Sequence, residues 1–253
     1  MIGVASPSFC FQDFSRMLEE ISSQFQLWEV LVEVEHTIEK VESVMAEEAH
    51  SYDVRFQVHG PMSDVNIGSL YERMRLAAVD DIVRTSEFCR RQDIQVLTIH
   101  PAFVTGIAFL DRPSAVSQMK RSLKSISAAA AESSVTIALE NMPKGINATC
   151  TTAAELIEVL EGTELGVCFD MGHANTAGQV DALLEHVDMF RNVHLHNNDG
   201  SWDQHDRVDQ GSADLPRIMT SMDRGGYAGN LIIESSDLDS GVSSKRVLAS
   251  LLE

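Results

Sequence analysis

Eight times along the chain a short apolar run gives way to a stretch with helical spacing, and no linker or low-complexity segment interrupts the alternation. The strand-like runs are Ile2–Ala5, Leu27–Glu33, Arg55–His59, Gln95–His100, Val135–Glu140, Leu165–Phe169, Asn192–His196 and Asn230–Glu234. Helical patterns follow them at Phe14–Ser22, Ile38–Ala49, Ser69–Arg91, Ser114–Ser133, Thr152–Leu160, Val180–His186, Leu215–Met222 and Val242–Leu251. Strands separated by helices pair in parallel. Eight such units in 253 residues predict one domain over 1–253, a closed (β/α)8 TIM barrel. Val96–Ile99, Val135–Leu139 and Leu231–Ile233 are nearly all apolar, as strands covered on both faces are. A doubly wound open sheet would carry a glycine-rich phosphate loop after an early strand, and the sequence has none.

The strands end on ionisable residues. Leu165 to Asn175 reads Leu-Gly-Val-Cys-Phe-Asp-Met-Gly-His-Ala-Asn: the apolar run stops at Asp170, and His173 follows. His59 and His100 close the third and fourth strands, and Glu140 closes the fifth. His194 and His196 end the seventh, Asp203 and His205 lie in the loop beyond it, and Glu234 closes the eighth. Of nine histidines, only His36, His50 and His186 fall elsewhere; His36 precedes Thr37, a candidate helix cap. In a barrel the residues just past the strands share one mouth, where active sites sit. Burying this many ionisable groups side by side is costly unless cations compensate them. Imidazole with carboxylate is the donor set of zinc, manganese or iron rather than of calcium or magnesium. Asp203 and His205, two apart, point to one side of an extended segment, whereas Asp170 and His173 are spaced to face different ions. His194 and His196 share a strand face and compete for one role, for which His194 is preferred. Taken singly, Asp170 reads equally well as a helix cap, and His59 and His100 as loop caps.

Composition narrows the partners. The net charge of −19, from 19 Lys plus Arg against 38 Asp plus Glu, disfavours binding to a phosphate backbone. No apolar run approaches the roughly 18 residues of a membrane span. The opening Met-Ile-Gly-Val-Ala-Ser has no basic or long apolar segment, so a cytoplasmic protein is expected. Cys10, Cys89, Cys150 and Cys168 show no Cys-x-x-Cys spacing and suggest neither a disulfide framework nor a zinc ribbon.

At these residues the chain resembles the xylose isomerase-like barrels, a superfamily that includes endonuclease IV. The likeness covers nearly the whole chain, and it lies in the order and spacing of the motifs. It implies a divalent-metal enzyme, with zinc or manganese and one to three ions per chain. In the endonuclease IV branch nine ligands hold three zinc ions, and all nine have counterparts: His59, His100 and Glu140 for the first ion; Glu140, as a bridge, with Asp170, His194 and Glu234 for the second; His173, Asp203 and His205 for the third. His194-Leu195-His196-Asn197 departs from the branch's pattern by placing Asn197 where a carboxylate is usual. In the sugar isomerase and epimerase branch one ion is held by counterparts of Glu140, Asp170, His194 and Glu234.

Two chemistries follow from the resemblance. In the first, Glu140 and Glu234 trade a proton with an open-chain sugar through an enediolate, with His173 near the sugar and Lys144 a weak candidate for an anionic group. In the second, three ions hydrolyse a phosphodiester at abasic DNA. The acidic charge favours the first, as do mouth loops at Met62–Gly68, Met142–Thr151 and Asn197–Ala213 that are poor in Lys and Arg. The expected partner is therefore a small carbohydrate rather than a nucleic acid. A retained barrel with a purely metal-binding or regulatory role ranks third, because both glutamates that would carry chemistry are present.

Overall fold

All eight expected strands form in the computed structural model, which describes residues 1–131 and 133–252. They are β1 (Ile2–Ala5), β2 (Leu27–Leu31), β3 (Arg55–His59), β4 (Val96–Ile99), β5 (Thr136–Glu140), β6 (Gly166–Asp170), β7 (Phe190–Leu195) and β8 (Leu231–Glu234). Each pairs in parallel with the next, and β8 closes on β1 through Ile2–Leu231 to Ala5–Glu234. The α-helices are α1 (Phe14–Ser22), α2 (Ile38–Glu47), α3 (Glu72–Arg91), α4 (Arg112–Ala130), α5 (Ala153–Leu160), α6 (Met171–Ala177), α7 (Val180–Leu184), α8 (Leu215–Arg224) and α9 (Leu238–Leu252). Among the described residues, no helix is long and apolar enough to cross a membrane.

The helix ends follow their caps. Asp13, Asp111, Thr152 and Asp214 accept backbone N–H bonds from the first turns of α1, α4, α5 and α8. Asp111 and Pro113 start α4 at Arg112, two residues before the expected Ser114. It ends at Ala130, three residues before the expected Ser133, and Glu132 lies outside the described residues. Helix α3 begins at Glu72 rather than Ser69, because the Ser69 hydroxyl accepts from Tyr71 N and holds a local turn there. Helix α6 was not expected. It is too short for periodicity to show, although Asp170 at its start and left-handed Gly178 at its end are ordinary cap residues.

Strand alternation sorts side chains into two unlike layers. Outward-facing Trp28, Val30, Val58, Leu97, Ile99, Leu139, Val167, Phe169, Val193 and Leu195 join the helices in one continuous apolar cluster. Each such side chain, fully buried, contributes about 1.5–3 kcal/mol. Inside the barrel the buried apolar cluster is only Ala5, Leu27 and Ile232. The axis is filled instead by Glu29, Gln57, Thr98, Asn192 and His194, all buried and hydrogen-bonded to one another.

His36 lies away from that axis. It is wholly buried, edge-on to Phe14 and Trp28 at ring-centroid distances of 5.2 and 5.6 Å. Thr37 does occupy the N-cap position of α2, but its side chain makes no capping bond. Burial pushes the His36 pKa down to about 4 from 6.5. As pH falls below about 6.5 the unfolded chain binds a proton that the folded chain refuses, so stability is lost until about pH 4. His36→Phe should therefore lose less Tm than the natural chain between pH 6.5 and 4.5; equal slopes in thermal melts would remove His36 from the acid response.

Candidate metal centre

The barrel mouth gathers the strand ends into three adjoining groups, and Cys168 with Glu140 and His194 makes a fourth that overlaps the second. His59, His100 and Glu140 form the first; Glu140, Asp170, His194 and Glu234 the second; His173, His196, Asp203 and His205 the third. Within each group one donor atom per residue lies within 4.8 Å of the others. All nine residues expected from the sequence are included. Register explains the convergence: His59, Glu140, Asp170 and Glu234 are the last residues of β3, β5, β6 and β8, and Asp170 pairs directly with His194. An irregularity between Val167 and Cys168 sets that pairing, because β7 carries one extra residue, Arg191, opposite them.

Glu140 lies between the first two groups and divides its oxygens between them. Oε2 faces His59 and His100 Nε2, each at 3.3 Å, and Oε1 faces His194 Nδ1 and His173 Nδ1 at 3.3 Å. Asp170 combines both roles that its position allowed. Its Oδ1 accepts from His173 N at 2.6 Å and caps α6, while Oδ2 looks toward His194 Nδ1 at 3.9 Å. His173 Nδ1 lies 2.9 Å from Asn141 O, which leaves Nε2 facing Asp203 Oδ2 at 3.2 Å. An antiparallel bridge between Asn197 and Asp206 folds the loop back so that Asp203 and His205 overhang the barrel. His205 takes a left-handed φ of 51°, a strained conformation for a non-glycine residue.

His194 and His196 do not compete. His194 belongs to the second group. His196, one pleat further along, belongs to the third, stacked on His205 at 4.0 Å with Nε2 3.1 Å from Asp170 Oδ1. Gly172 makes room for it, since a Cβ there would stand 2.0 Å from the His196 ring. Asn197 is a loop staple: its amide donates to Val208 O and Ala213 O at 3.0 and 3.2 Å, which a carboxylate could not do. Lys144 is exposed on the rim, as is Trp202, whereas Met171 is buried. Glu29, unremarked in the sequence, is buried beneath the second group and bonds His194 Nε2 at 2.8 Å. Its only sequence signal is a lone charge inside an apolar strand.

The charges are mutually adjusted. Burial raises the Glu140 carboxyl, but charge on His194 and hydrogen bonds from His100, His173 and His194 hold it well below the usual range. Burial likewise opposes ionisation of Glu234 and Asp203. Charge on His205 and on His194 outweighs it for Glu234, and the His173 and His205 bonds do so for Asp203, so both carboxyls stay low. Against burial, Cys168 with Glu29 and Glu140 holds His194 well above its ordinary value, the Asp170, Asp203 and Glu140 carboxylates do so for His173, and His205 is pushed up to about 9. Positive charge is thus demanded at three points along the mouth, and protonated imidazoles meet the demand only in part. Nine buried side-chain polar atoms lack partners among the described residues; two are on His36, and the other seven are on His100, Asp170, His196, Asp203, His205 and Glu234. Orphaned donors and acceptors, facing one another within a nitrogen and oxygen ligand set, fit divalent cations.

Residues 13–251 match the xylose isomerase-like TIM barrel family. The chain belongs to that family. A D-tagatose 3-epimerase-like protein of known structure is 28% identical with a TM-score of 0.91, covering 99% of this chain and 96% of the other. An uncharacterized protein of Methanocaldococcus jannaschii is 29% identical over 99% of this chain and 89% of its own length. D-psicose 3-epimerase, solved in the presence of D-fructose, shares the fold at 16% identity and a TM-score of 0.78, with coverage of 98% and 96%. So does the IOLI protein, solved with a zinc atom, at 13% identity and 0.78, with coverage of 99% and 97%.

Glu140→Gln should weaken zinc or manganese binding by more than the roughly 10–100-fold typical of losing a ligand's hydrogen-bond partner. His50→Gln, on an exposed turn far from the mouth, should leave it unchanged. Metal analysis after dialysis checks both, and full loading of the Glu140 variant would exclude its bridging position.

Proposed function

We propose that the protein is a divalent-metal-dependent isomerase or epimerase of a small sugar or sugar-like substrate. The observation that carries this reading is the second group: three carboxylates and one imidazole, Glu140, Asp170, Glu234 and His194, at the end of a barrel of this family. Likeness to a D-tagatose 3-epimerase-like protein supports the reaction class, and a zinc-bearing relative supports the kind of cofactor. Zinc and manganese both suit the donors.

An ion held by those four residues supplies Lewis acidity toward the hydroxyl and carbonyl of an open-chain sugar and makes the neighbouring C–H more acidic. The remaining work falls to side chains. Glu140 and Glu234 stand three strands apart around the barrel, so they approach a substrate carbon from different sides. Among the described residues Glu234 Oε2 has no hydrogen-bond partner, whereas Glu140 is shared among four imidazoles. Glu234 therefore takes the proton, leaving an enediolate, and Glu140, ionised at rest, passes to the other side a proton drawn from the His59 imidazolium 3.3 Å away, so that Glu234 ends protonated and His59 neutral. His173, engaged by Asn141 O and Asp203, orients the mouth rather than moving that proton. The cytoplasm is the compartment that fits such chemistry and four free cysteines.

One observation favours a nuclease of the endonuclease IV kind: the first and third groups complete a nine-residue set for three ions. Charge opposes it. With 19 basic against 38 acidic residues the surface lacks the footprint that DNA requires. Arg207, the basic residue of the overhanging loop, is already paired with Asp209.

The metal-loaded protein incubated with ketopentoses and ketohexoses in deuterated water should place deuterium on the carbon next to the carbonyl. Glu234→Gln should reduce that exchange by roughly 100-fold or more, the scale of general acid–base catalysis. Incision of an abasic duplex, with no exchange into any sugar, would sink the proposal and install the nuclease.

A further inference from the structure

We propose that Glu29 is the positioning residue of the second metal group, and that it selects the nitrogen with which His194 binds the ion. The inference rests on the metal reading above but not on the identity of the substrate. His194 is wholly buried, and its two nitrogens face opposite ways. Nδ1 looks up into the site, 3.3 Å from Glu140 Oε1, 3.5 Å from Glu234 Oε2 and 3.9 Å from Asp170 Oδ2. Nε2 looks down the barrel axis to Glu29 Oε1 at 2.8 Å.

The network beneath makes Glu29 an acceptor. Its Oε2 receives Asn192 Nδ2 at 2.7 Å and Gln57 Nε2 at 3.2 Å. Asn192 spends its other hydrogen on Thr98 Oγ1 at 2.8 Å, so it has none for His194 Nε2, 3.2 Å away. Below, Asn230 Nδ2 donates to Gln57 Oε1, and the amino group of Met1 donates to Asn230 Oδ1 at 3.1 Å. A column of amides, every one donating upward, runs from the N-terminus through the barrel to the carboxylate. Oriented donors of this kind stabilise a buried anion. Glu29 then accepts a hydrogen bond from the N–H at His194 Nε2, which keeps the proton there and leaves the lone pair on Nδ1, where the three carboxylates converge. A carboxylate behind a metal-binding histidine fixes both ring orientation and tautomer.

Glutamine at this position is the diagnostic substitution because it fills the same space with one acceptor instead of two. Two amide donors claim that acceptor at the Oε2 position. The new NH2 then faces His194 Nε2 and requires a lone pair there, which drives the ring proton to Nδ1 and blocks the ligand atom.

The test uses zinc alone, with the intact chain labelled with 15N-histidine. In the zinc-loaded natural protein, long-range 1H–15N spectra should show His194 protonated on Nε2 and coordinated through Nδ1. Glu29→Gln should lower zinc affinity roughly 10–100-fold in chelator competition, with an unchanged circular dichroism spectrum. Coordination through Nε2 in the natural protein overturns the proposal, and this result stands even if the variant does not fold. A folded Glu29→Gln protein with natural affinity overturns it too. Natural protein that takes up no zinc sinks the metal reading instead, and the proposal with it.

Discussion

The barrel interior is polar, and the rest of the molecule accommodates that fact. A parallel barrel ordinarily fills its axis with branched apolar side chains; here, among the described residues, the clustered apolar part is Ala5, Leu27 and Ile232, and Leu31, Ala138 and Cys168 lie among polar neighbours. Stability comes from the other face of the same strands, where Trp28, Leu97, Leu139, Val167 and Phe169 are sealed by the helices. This division of labour lets ionisable groups occupy the axis without dissolving the fold. It also sets their terms, because in so dry a place each charge must be matched by a hydrogen bond, an opposite charge or a cation.

The mouth grades from satisfied to unsatisfied along that axis. At the level of Glu29 and Asn192 every donor and acceptor is matched. One turn of pleat higher, Glu140 is surrounded by four imidazoles that hold it ionised. Orphaned atoms begin at that level, on His100, Asp170 and Glu234, and continue higher on Asp203, His196 and His205. The unmatched groups are therefore at the open end, where an ion or substrate can reach them, and the matched ones lie beneath as a fixed support. This is the order expected of a site whose positioning groups are preorganised and whose reactive groups wait for a ligand.

Some of the site was visible in the sequence because strand ends have a local signature. An apolar run that stops on Glu140, Asp170 or Glu234 announces both the strand and the rim. The α6 turn behind Asp170 is harder to see, since seven residues hold too few turns for periodicity to register. Glu29 was hidden by its surroundings: mid-strand, it looks like one polar residue in an apolar run, and only closure of the barrel brings His194, 165 residues away in sequence, to within 2.8 Å. His196 parts from His194 for a similar reason. Alternation places it on the same face as His194, but the height of each along the axis depends on which neighbours the loops bring over them.

The sequence alone determined the eightfold alternation, the parallel closed barrel and the nine rim residues, because these follow from periodicity and from where apolar runs end, both of which are local. Tertiary structure decided which side chains meet. Glu140 faces four imidazoles, Asn197 staples a loop, His196 joins the third group and Glu29 bonds His194. Those outcomes depend on register, on the extra residue in β7 and on the loop that folds back over the mouth, and each couples positions too far apart along the chain for local pattern to relate them.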